Sequence, residues 1–144
     1  MEAQLIQEQL LEYKPKTSFA FICKGRVVSI KLDEIAHVSK YGNETVIYMA
    51  PAHLNPPEGR TEHSIKSYRT GHSLQEILND LPVNDFFRVH KSHIISLKHM
   101  AGVKKKRIRV GEYYLPVSKY YKAQLCIHLQ QILNKNFIFY TFLK

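Results

Sequence analysis

The chain has 144 residues, of which 44% are apolar, and it carries a formal charge of +9 at pH 7. That length suits one domain with short extensions, and no stretch approaches the roughly 18 apolar residues that a membrane span needs. The N-terminus carries acids and lacks the apolar run of a signal peptide, so we expect a cytoplasmic protein with no membrane partner. Cys23 and Cys126 are interpreted as reduced thiols, although their spacing alone leaves one disulfide open.

The whole net charge lies in one quarter of the chain. Residues 86–122 contain a single acid, Glu112, and these basic residues: Arg88, Lys91, Lys98, Lys104, Lys105, Lys106, Arg107, Arg109, Lys119 and Lys122. Solubility needs only scattered charge, so such a concentration indicates a surface that meets a polyanion. The run Lys104–Arg107 has two interpretations, a solvated hairpin tip or a part of that surface.

The first half of the chain predicts short strands joined by turns. Residues 1–14 look helical and end at Pro15, whereas Lys24-Gly25 separates two strand-like runs, as in a tight hairpin. The prolines within residues 51–62 indicate a loop. The predicted strands are Ser18–Cys23, Arg26–Lys31, Ile35–Ser39, Thr45–Met49 and, as an option, His63–Tyr68.

The second half adds two helices to further strands. Ser73 and Glu76 form a capping box before a short helix that Pro82 ends, and Ser118 can cap a last helix. The apolar face of that last helix holds Tyr121, Leu125, Leu129 and Ile132. The strand-like runs are Phe86–Val89, Val103–Val110 and Tyr113–Val117, with Ile94–Leu97 short and ambiguous. The pattern therefore predicts a mainly β fold with one or two short helices.

Eight histidines raise the question of a catalytic or metal site. His90 and His93 are three positions apart, and such positions in one strand point to opposite faces, so we do not expect them to converge on a metal. No cysteine pair, carboxylate pair, nucleophile motif or phosphate loop completes a site. We therefore expect no enzyme, metal, cofactor or small-molecule substrate, and we interpret the histidines as polar, partly cationic groups on the polyanion-facing surface.

Residues 87–97 read Phe-Arg-Val-His-Lys-Ser-His-Ile-Ile-Ser-Leu. They resemble the pattern Phe-x-Arg-x-His-Arg-Ser-Tyr-Ile-Val-Asn, the core signature of the LytTR (LytTR/AlgR) family of bacterial DNA-binding domains. Residues 115–121, Leu-Pro-Val-Ser-Lys-Tyr-Tyr, resemble the family's second signature of a strand followed by Ser-Arg at a helix start. Residues 73–82 and 35–47 are similar to the helix and the central strand pair that precede the first signature.

The resemblance implies a division of the chain and a fold. It covers about residues 17–133 as a LytTR-like domain, with an N-terminal helix or linker at residues 1–16 and an apolar tail at 134–144. The implied fold is elongated and mainly β, with short antiparallel sheets and one or two short helices. Family members are commonly output domains of two-component response regulators. Because few residues precede the domain here, we expect a stand-alone protein without a receiver domain, or else a fragment.

The resemblance also implies a function, namely sequence-specific binding of double-stranded DNA by loops in successive major grooves, as a transcriptional regulator. A homodimer on repeated sites is an option. Lys91 and Lys119 stand where the family usually has a groove-reading Arg, and Lys lacks the planar fork that suits guanine. The residues assigned to DNA are Lys40, Asn43, Arg88, His90, Lys91, Ser92, Ser118, Lys119 and Lys122.

Within that set the resemblance implies two kinds of contact. Lys91, Lys119 and Asn43 would reach base edges. The phosphate contacts would come from Lys40, Arg88, Ser92 and Lys122.

Two alternatives remain open from the sequence. The basic block could serve a non-specific nucleic-acid binder, including an RNA binder, which would stack bases on exposed aromatic side chains. The candidates for stacking are Tyr113, Tyr114, Tyr120 and Tyr121. Alternatively, the apolar tail and the N-terminal helix could form a protein-interaction module.

Overall fold

The computed structural model describes residues 16–50 and 67–133, which form ten β-strands and two α-helices. The strands are β1 (Ser18–Cys23), β2 (Arg26–Lys31), β3 (Ile35–Tyr41), β4 (Glu44–Met49), β5 (Ser67–Thr70), β6 (Phe86–His90), β7 (His93–Ser96), β8 (Met100–Lys104), β9 (Arg107–Val110) and β10 (Tyr113–Pro116). The helices are α1 (Leu74–Asp80) and α2 (Lys119–Leu133). The predicted N-terminal helix, the 51–62 loop, residues 63–66 of the optional strand and the tail lie outside the described residues.

The strands form three antiparallel sheets. Five strands make the largest sheet, in the order β5-β4-β3-β7-β6, while β1 pairs with β2 and the third sheet has the order β10-β9-β8. The mainly β fold with short antiparallel sheets and two helices is thereby confirmed. The ambiguous run at 94–97 is mostly strand β7, and all four residues of β7 are buried. A strand covered on both faces shows no alternation, which is why the sequence pattern did not identify it.

The five-stranded sheet separates two apolar cores. On one face, Val38, Ile47 and Ile94 pack with the β1–β2 hairpin and α1. On the other face, Ile95 and Val89 pack with the three-stranded sheet and α2. Cys23 borders the first core and Cys126 lies in the second. Both cysteines are therefore free thiols on different sides of the sheet.

The tight turns have the backbone that their sequences predict. Lys24 and Gly25 have φ of 51° and 74°, and positive φ at both central residues is the pattern of a type I′ hairpin turn. Gly42 and Gly111 have φ of 60° and 59° as the first central residues of the β3–β4 and β9–β10 turns. Only glycine adopts this conformation without steric cost. The predicted β1–β2 hairpin is confirmed.

The prediction of one strand over residues 103–110 was wrong. The chain reverses at Lys105-Lys106, so that Lys104 pairs with Arg107 and Val103 with Ile108. Lys105 takes φ of 51° although it has a side chain, so no glycine or asparagine marks this turn. Reversal places Val103 and Ile108 opposite each other against the second core. The four consecutive cations are thereby placed at an exposed tip.

Both helices begin where the sequence predicts. Ser73 Oγ accepts a hydrogen bond from Glu76 N at 3.1 Å, so Ser73 is the N-cap of α1. The Glu76 carboxylate bonds His72 Nδ1 at 3.1 Å, a partner outside the capping-box pattern. Ser118 precedes α2, its carbonyl accepting from Lys122 N at 2.9 Å. The predicted apolar face of α2 is confirmed at Leu125 and Leu129, which are buried together with Cys126.

Replacing the buried Ile94 with alanine should remove one of the central contacts of the first core. Ile94 is fully buried, so Ile94→Ala should lower the free energy of unfolding by about 2–5 kcal/mol. The matched control is Ile22→Ala, because Ile22 lies in a strand but is 53% exposed, and we expect a change of about 0.5 kcal/mol or less. Urea denaturation with an unchanged m-value measures both effects. Equal losses for the two variants would contradict the assignment of Ile94 to the core.

Candidate nucleic-acid interface

Two of the loops that the resemblance assigns to DNA lie side by side at one end of the five-stranded sheet. Strands β3 and β7 pair with Ser39 opposite His93, so the β3–β4 turn and the β6–β7 turn point the same way. Lys40 N donates to Ser92 O at 2.9 Å, which joins the two turns. Beyond this bond the β3–β4 turn extends about two residues further, or roughly 7 Å.

The start of α2 is the third segment at this end. Ser118 N donates to Val89 O at 3.0 Å, beside the edge strand β6. Lys119, the first residue of α2, is exposed there. The segments 42–43, 91–92 and 118–119 therefore form a row in which neighbours are joined by backbone hydrogen bonds.

The side chains at the tips of this row face solvent. Lys40 and Asn43 are exposed on the β3–β4 side, and Lys91 is exposed at the β6–β7 turn. Two tyrosines that lie in the loops assigned to DNA, but were not among the individual residues assigned, are also exposed, Tyr41 at 53% and Tyr120 at 68%. Each adjoins an assigned lysine. Adjacency to Lys40 and Lys119 is the signal that could have identified these tyrosines.

Arg88 binds the backbone of the β6–β7 turn. Its Nε donates to His90 O at 3.3 Å and its Nη2 donates to Lys91 O at 2.6 Å. Its Nη1 donates to Gln75 Oε1 at 3.2 Å on α1, and the guanidinium lies 5.8 Å from the ring centre of Tyr121 on α2. The sequence analysis assigned this guanidinium to a phosphate contact. In the structure it connects both helices to the turn that presents Lys91.

His90 closes the same turn from inside. Its Nδ1 accepts a hydrogen bond from Ser92 N at 3.1 Å, which requires an unprotonated Nδ1. Burial, and next the charges of Lys91 and Arg88, lower the pKa of His90. A neutral imidazole is therefore the form that supports the turn.

A row of buried polar groups continues beneath the interface. Ser39 Oγ and His93 Nδ1 are 2.6 Å apart, and the rings of His93 and His90 are 5.2 Å apart. Burial and then the charge of His90 lower the pKa of His93 to about 4. The interpretation of the histidines as cationic surface groups was therefore wrong for His93, because burial favours the neutral ring.

The reasoning that separated His90 from His93 was also wrong. The two residues are on different strands, directly opposite each other across the β6–β7 turn. A hairpin brings together residues that one strand would point apart. Even so, the described part of the chain holds no group of His, Cys, Asp or Glu suited to a metal ion.

His37 lies deeper in the same face of the sheet. Its ring stacks on Tyr48 with centroids 4.4 Å apart and meets the edge of Tyr113 at 4.9 Å. Tyr113 belongs to β10, so this aromatic contact joins the five-stranded and three-stranded sheets. Neither ring nitrogen of His37 has a hydrogen-bond partner among the described residues. Burial and next the charge of His93 lower its pKa to about 4.

A fourth segment, the β8–β9 turn, adjoins the start of α2. Val117 N donates to Lys106 O at 2.8 Å. Lys122, which the sequence assigned to a phosphate contact one turn beyond the loop, is half-buried and lines a groove with Tyr114 and the run Lys104–Arg107. The run itself was absent from the residues assigned to DNA, although its charge was evident.

Comparison with known proteins agrees with this arrangement. The sequence model of the LytTr DNA-binding domain matches residues 60–130. The chain carries a domain of the LytTR family. A similar solved structure is the LytTr DNA-binding domain of a methyl-accepting/DNA response regulator from Bacillus cereus, with a TM-score of 0.60 and 16% identity over 80% of this chain and 98% of that one. Among curated proteins, no sequence matches the chain.

The family match sets the class of function and partner. It is to a DNA-binding domain, so DNA binding and transcription regulation are the functions that the LytTR match indicates. None of the helices in the described ranges is long and apolar enough to span a membrane.

The buried His37 predicts a loss of stability in acid. Its pKa is about 4 in the folded protein against 6.5 for the ordinary side chain, so only the unfolded chain takes up this proton between those values. Stability should therefore be complete above pH 6.5 and fall as the pH drops toward 4. His37→Phe removes this linkage and should reduce the loss of unfolding free energy between pH 7 and 4.5 by roughly 2 kcal/mol. Chemical denaturation of both proteins at each pH measures the difference, and parallel profiles would contradict the assignment.

Proposed function

We propose that this LytTR domain is a sequence-specific duplex DNA-binding module of a transcriptional regulator. The observation that carries the proposal is the row of segments 42–43, 91–92 and 118–119 at one end of the sheet. Backbone hydrogen bonds fix their order, and their tips expose polar and basic side chains. Loops presented in this way can enter grooves of a duplex, where base edges carry the sequence information.

Each tip is proposed to have its own role. Asn43 can bond adenine with both ends of its amide, whereas Lys91 and Lys119 can donate to guanine O6 and N7. Lys40 and Ser92 lie between the tips and would approach phosphates, which positions the domain without reading sequence. His90 and Ser118 shape the backbone of two segments through the hydrogen bonds described above.

A duplex is favoured over single-stranded RNA by the placement of the aromatic side chains. Single-strand binders present exposed rings on a sheet face for stacking. Here Tyr48 and Tyr113 pack against each other, with centroids 5.3 Å apart, and against His37. The exposed rings lie on separate segments, Tyr41 and Tyr120 beside the loop tips and Tyr114 on β10, and so do not form one platform. Paired repeats on one duplex would accommodate a homodimer, with half-sites about 10–10.5 base pairs apart or a multiple of that spacing.

The decisive test of specific recognition is Lys91→Ala on a duplex selected from a random pool and on a scrambled duplex. Lys91→Ala should weaken binding to the selected duplex by about 1–3 kcal/mol and to the scrambled duplex much less. Lys91→Arg should hold or sharpen the preference, because the guanidinium fork suits guanine. The control is Lys98→Ala, since Lys98 pairs with Asp33 at the opposite end of the sheet. Equal weakening on both duplexes would make Lys91 a backbone contact and would contradict the proposed role.

Arg88 should act by positioning the turn rather than by binding phosphate. Arg88→Lys keeps the charge but loses the planar fork that bonds His90 O and Lys91 O. We therefore expect weaker binding to the selected duplex with an unchanged dependence on salt. Arg88→Gln separates the two roles, because loss of a phosphate contact would lower the slope of log affinity against log salt by about 0.9. If Arg88→Gln lowers the slope by that amount and Arg88→Lys binds the selected duplex as tightly as the wild type, Arg88 contacts phosphate after all.

A further inference from the structure

The β8–β9 turn and α2 enclose a basic groove outside the three segments already described. The groove has a volume of about 700 Å³, and its lining residues are Lys104, Lys105, Lys106, Arg107, Tyr114 and Lys122. Tyr114 supplies an aromatic wall, and the Arg109 guanidinium lies 5.9 Å from its ring centre. We refer to this feature as the basic groove.

The four cations of the β8–β9 turn, residues 104–107, form no salt bridge within the described part of the chain. The salt bridges there join Lys16 to Asp80, Arg69 to Glu44, His72 to Glu76 and Lys98 to Asp33, and none includes residues 104–107. Four adjacent like charges at one turn repel each other. This repulsion would be relieved by a bound anion, and the described lining contributes no carboxylate.

The turn is also held in place. Lys106 O accepts from Val117 N at 2.8 Å, one residue before the Ser118–Lys119 segment. Strands β9 and β10 pair with Arg107 opposite Pro116, so the tip and the start of α2 share one end of the three-stranded sheet. The basic groove therefore continues the row of DNA-facing segments on the α2 side.

We propose that the basic groove binds phosphate groups of the DNA backbone, next to the segment that begins α2. This inference rests on the proposed function and adds a fourth contact to it. Lysine is a flexible point-charge donor that suits phosphate without reading bases. All four residues of the tip are exposed. A surface of that kind follows an extended polyanion, whereas a small phosphate ligand is normally enclosed by a site that removes it from water.

The first experiment compares two variants that lose the same charge. The groove variant changes Lys104, Lys106 and Arg107 to Gln, and the control variant changes Lys16, Lys31 and Lys98, at the opposite end of the sheet, to Gln. If each groove cation meets one phosphate, the slope of log affinity against log salt should fall by about 2–3 in the groove variant. The control should keep the wild-type slope. Because phosphate contacts carry no sequence information, the ratio of affinities for selected and scrambled duplexes should not change.

If the groove variant shows the same slope of log affinity against log salt as the control variant, the proposal is overturned. The altered residues are exposed, and circular dichroism with thermal unfolding checks that each variant is folded. A wild-type protein that binds selected and scrambled duplexes equally would refute the proposed sequence-specific function. The slopes measured on the scrambled duplex would still test the basic groove, so the two failures are distinguishable.

The second experiment identifies the source of the phosphate. The duplex is shortened stepwise on one flank. The difference in affinity between the wild-type protein and the groove variant should disappear before the preference for the selected site does. Pyrophosphate and ATP are the competing probes, titrated into the wild-type protein with and without duplex. One outcome would overturn the assignment to DNA: the wild-type protein binds pyrophosphate or ATP at micromolar concentration, the groove variant does not, and the ligand leaves duplex binding unchanged. Such a result would indicate a free polyphosphate ligand. Displacement of the duplex only at millimolar concentrations of pyrophosphate or ATP would support the DNA backbone as the source of the phosphate groups.

Discussion

Three backbone hydrogen bonds between separate segments determine how the polar end of this domain is built. They join Lys40 N to Ser92 O, Ser118 N to Val89 O and Val117 N to Lys106 O. Buried backbone groups need partners, and here a group in or beside one turn bonds the neighbouring turn or the strand next to it. Because these bonds use no side-chain atoms, the tips remain free to vary in sequence while their relative positions are fixed. The same bonds therefore satisfy the backbone and align the side chains that we propose as DNA contacts.

Buried polar side chains lie beneath this end, and burial is the main reason that their imidazoles are neutral. Burial lowers the pKa of His37 and of His93 to about 4, and burial, followed by the charges of Lys91 and Arg88, lowers the pKa of His90. A protonated imidazole would lose its hydration on burial, so the neutral imidazole is the favoured form. Their rings also fill space, since His37 packs between Tyr48 and Tyr113 and so connects two sheets. Stability in acid is therefore tied to His37, whereas the geometry of the interface depends on His90, which supports the β6–β7 turn.

The elements that could be predicted from the sequence are those with local signals. Lys24-Gly25 fixes a turn by its own backbone preferences, and Ser73 marks a helix start through a bond to Glu76, three residues on. Strand β7 and the reversal at Lys105-Lys106 depend on distant partners, the two cores and strand β10, and no local pattern indicates them. Likewise, the lysines assigned to DNA could be found from a motif, whereas the partners of Arg88 could not. Gln75 and the carbonyl of Lys91 become neighbours only after the sheet has formed.

Charge is unevenly distributed along the row of segments. The segments should therefore contribute differently to affinity for DNA and to discrimination between bases. The β3–β4 turn presents the uncharged amide of Asn43, whereas the β8–β9 turn presents four cations and no amide side chain. Between them lie Lys91 and Lys119, which carry charge and which we propose to contact base edges. Binding energy from phosphate should therefore increase from the β4 side toward the β8–β9 side, while discrimination between bases decreases. A domain built in this way could change its preferred sequence by substitution at Asn43 with little loss of affinity for DNA in general, because the electrostatic contacts lie at the other end of the row.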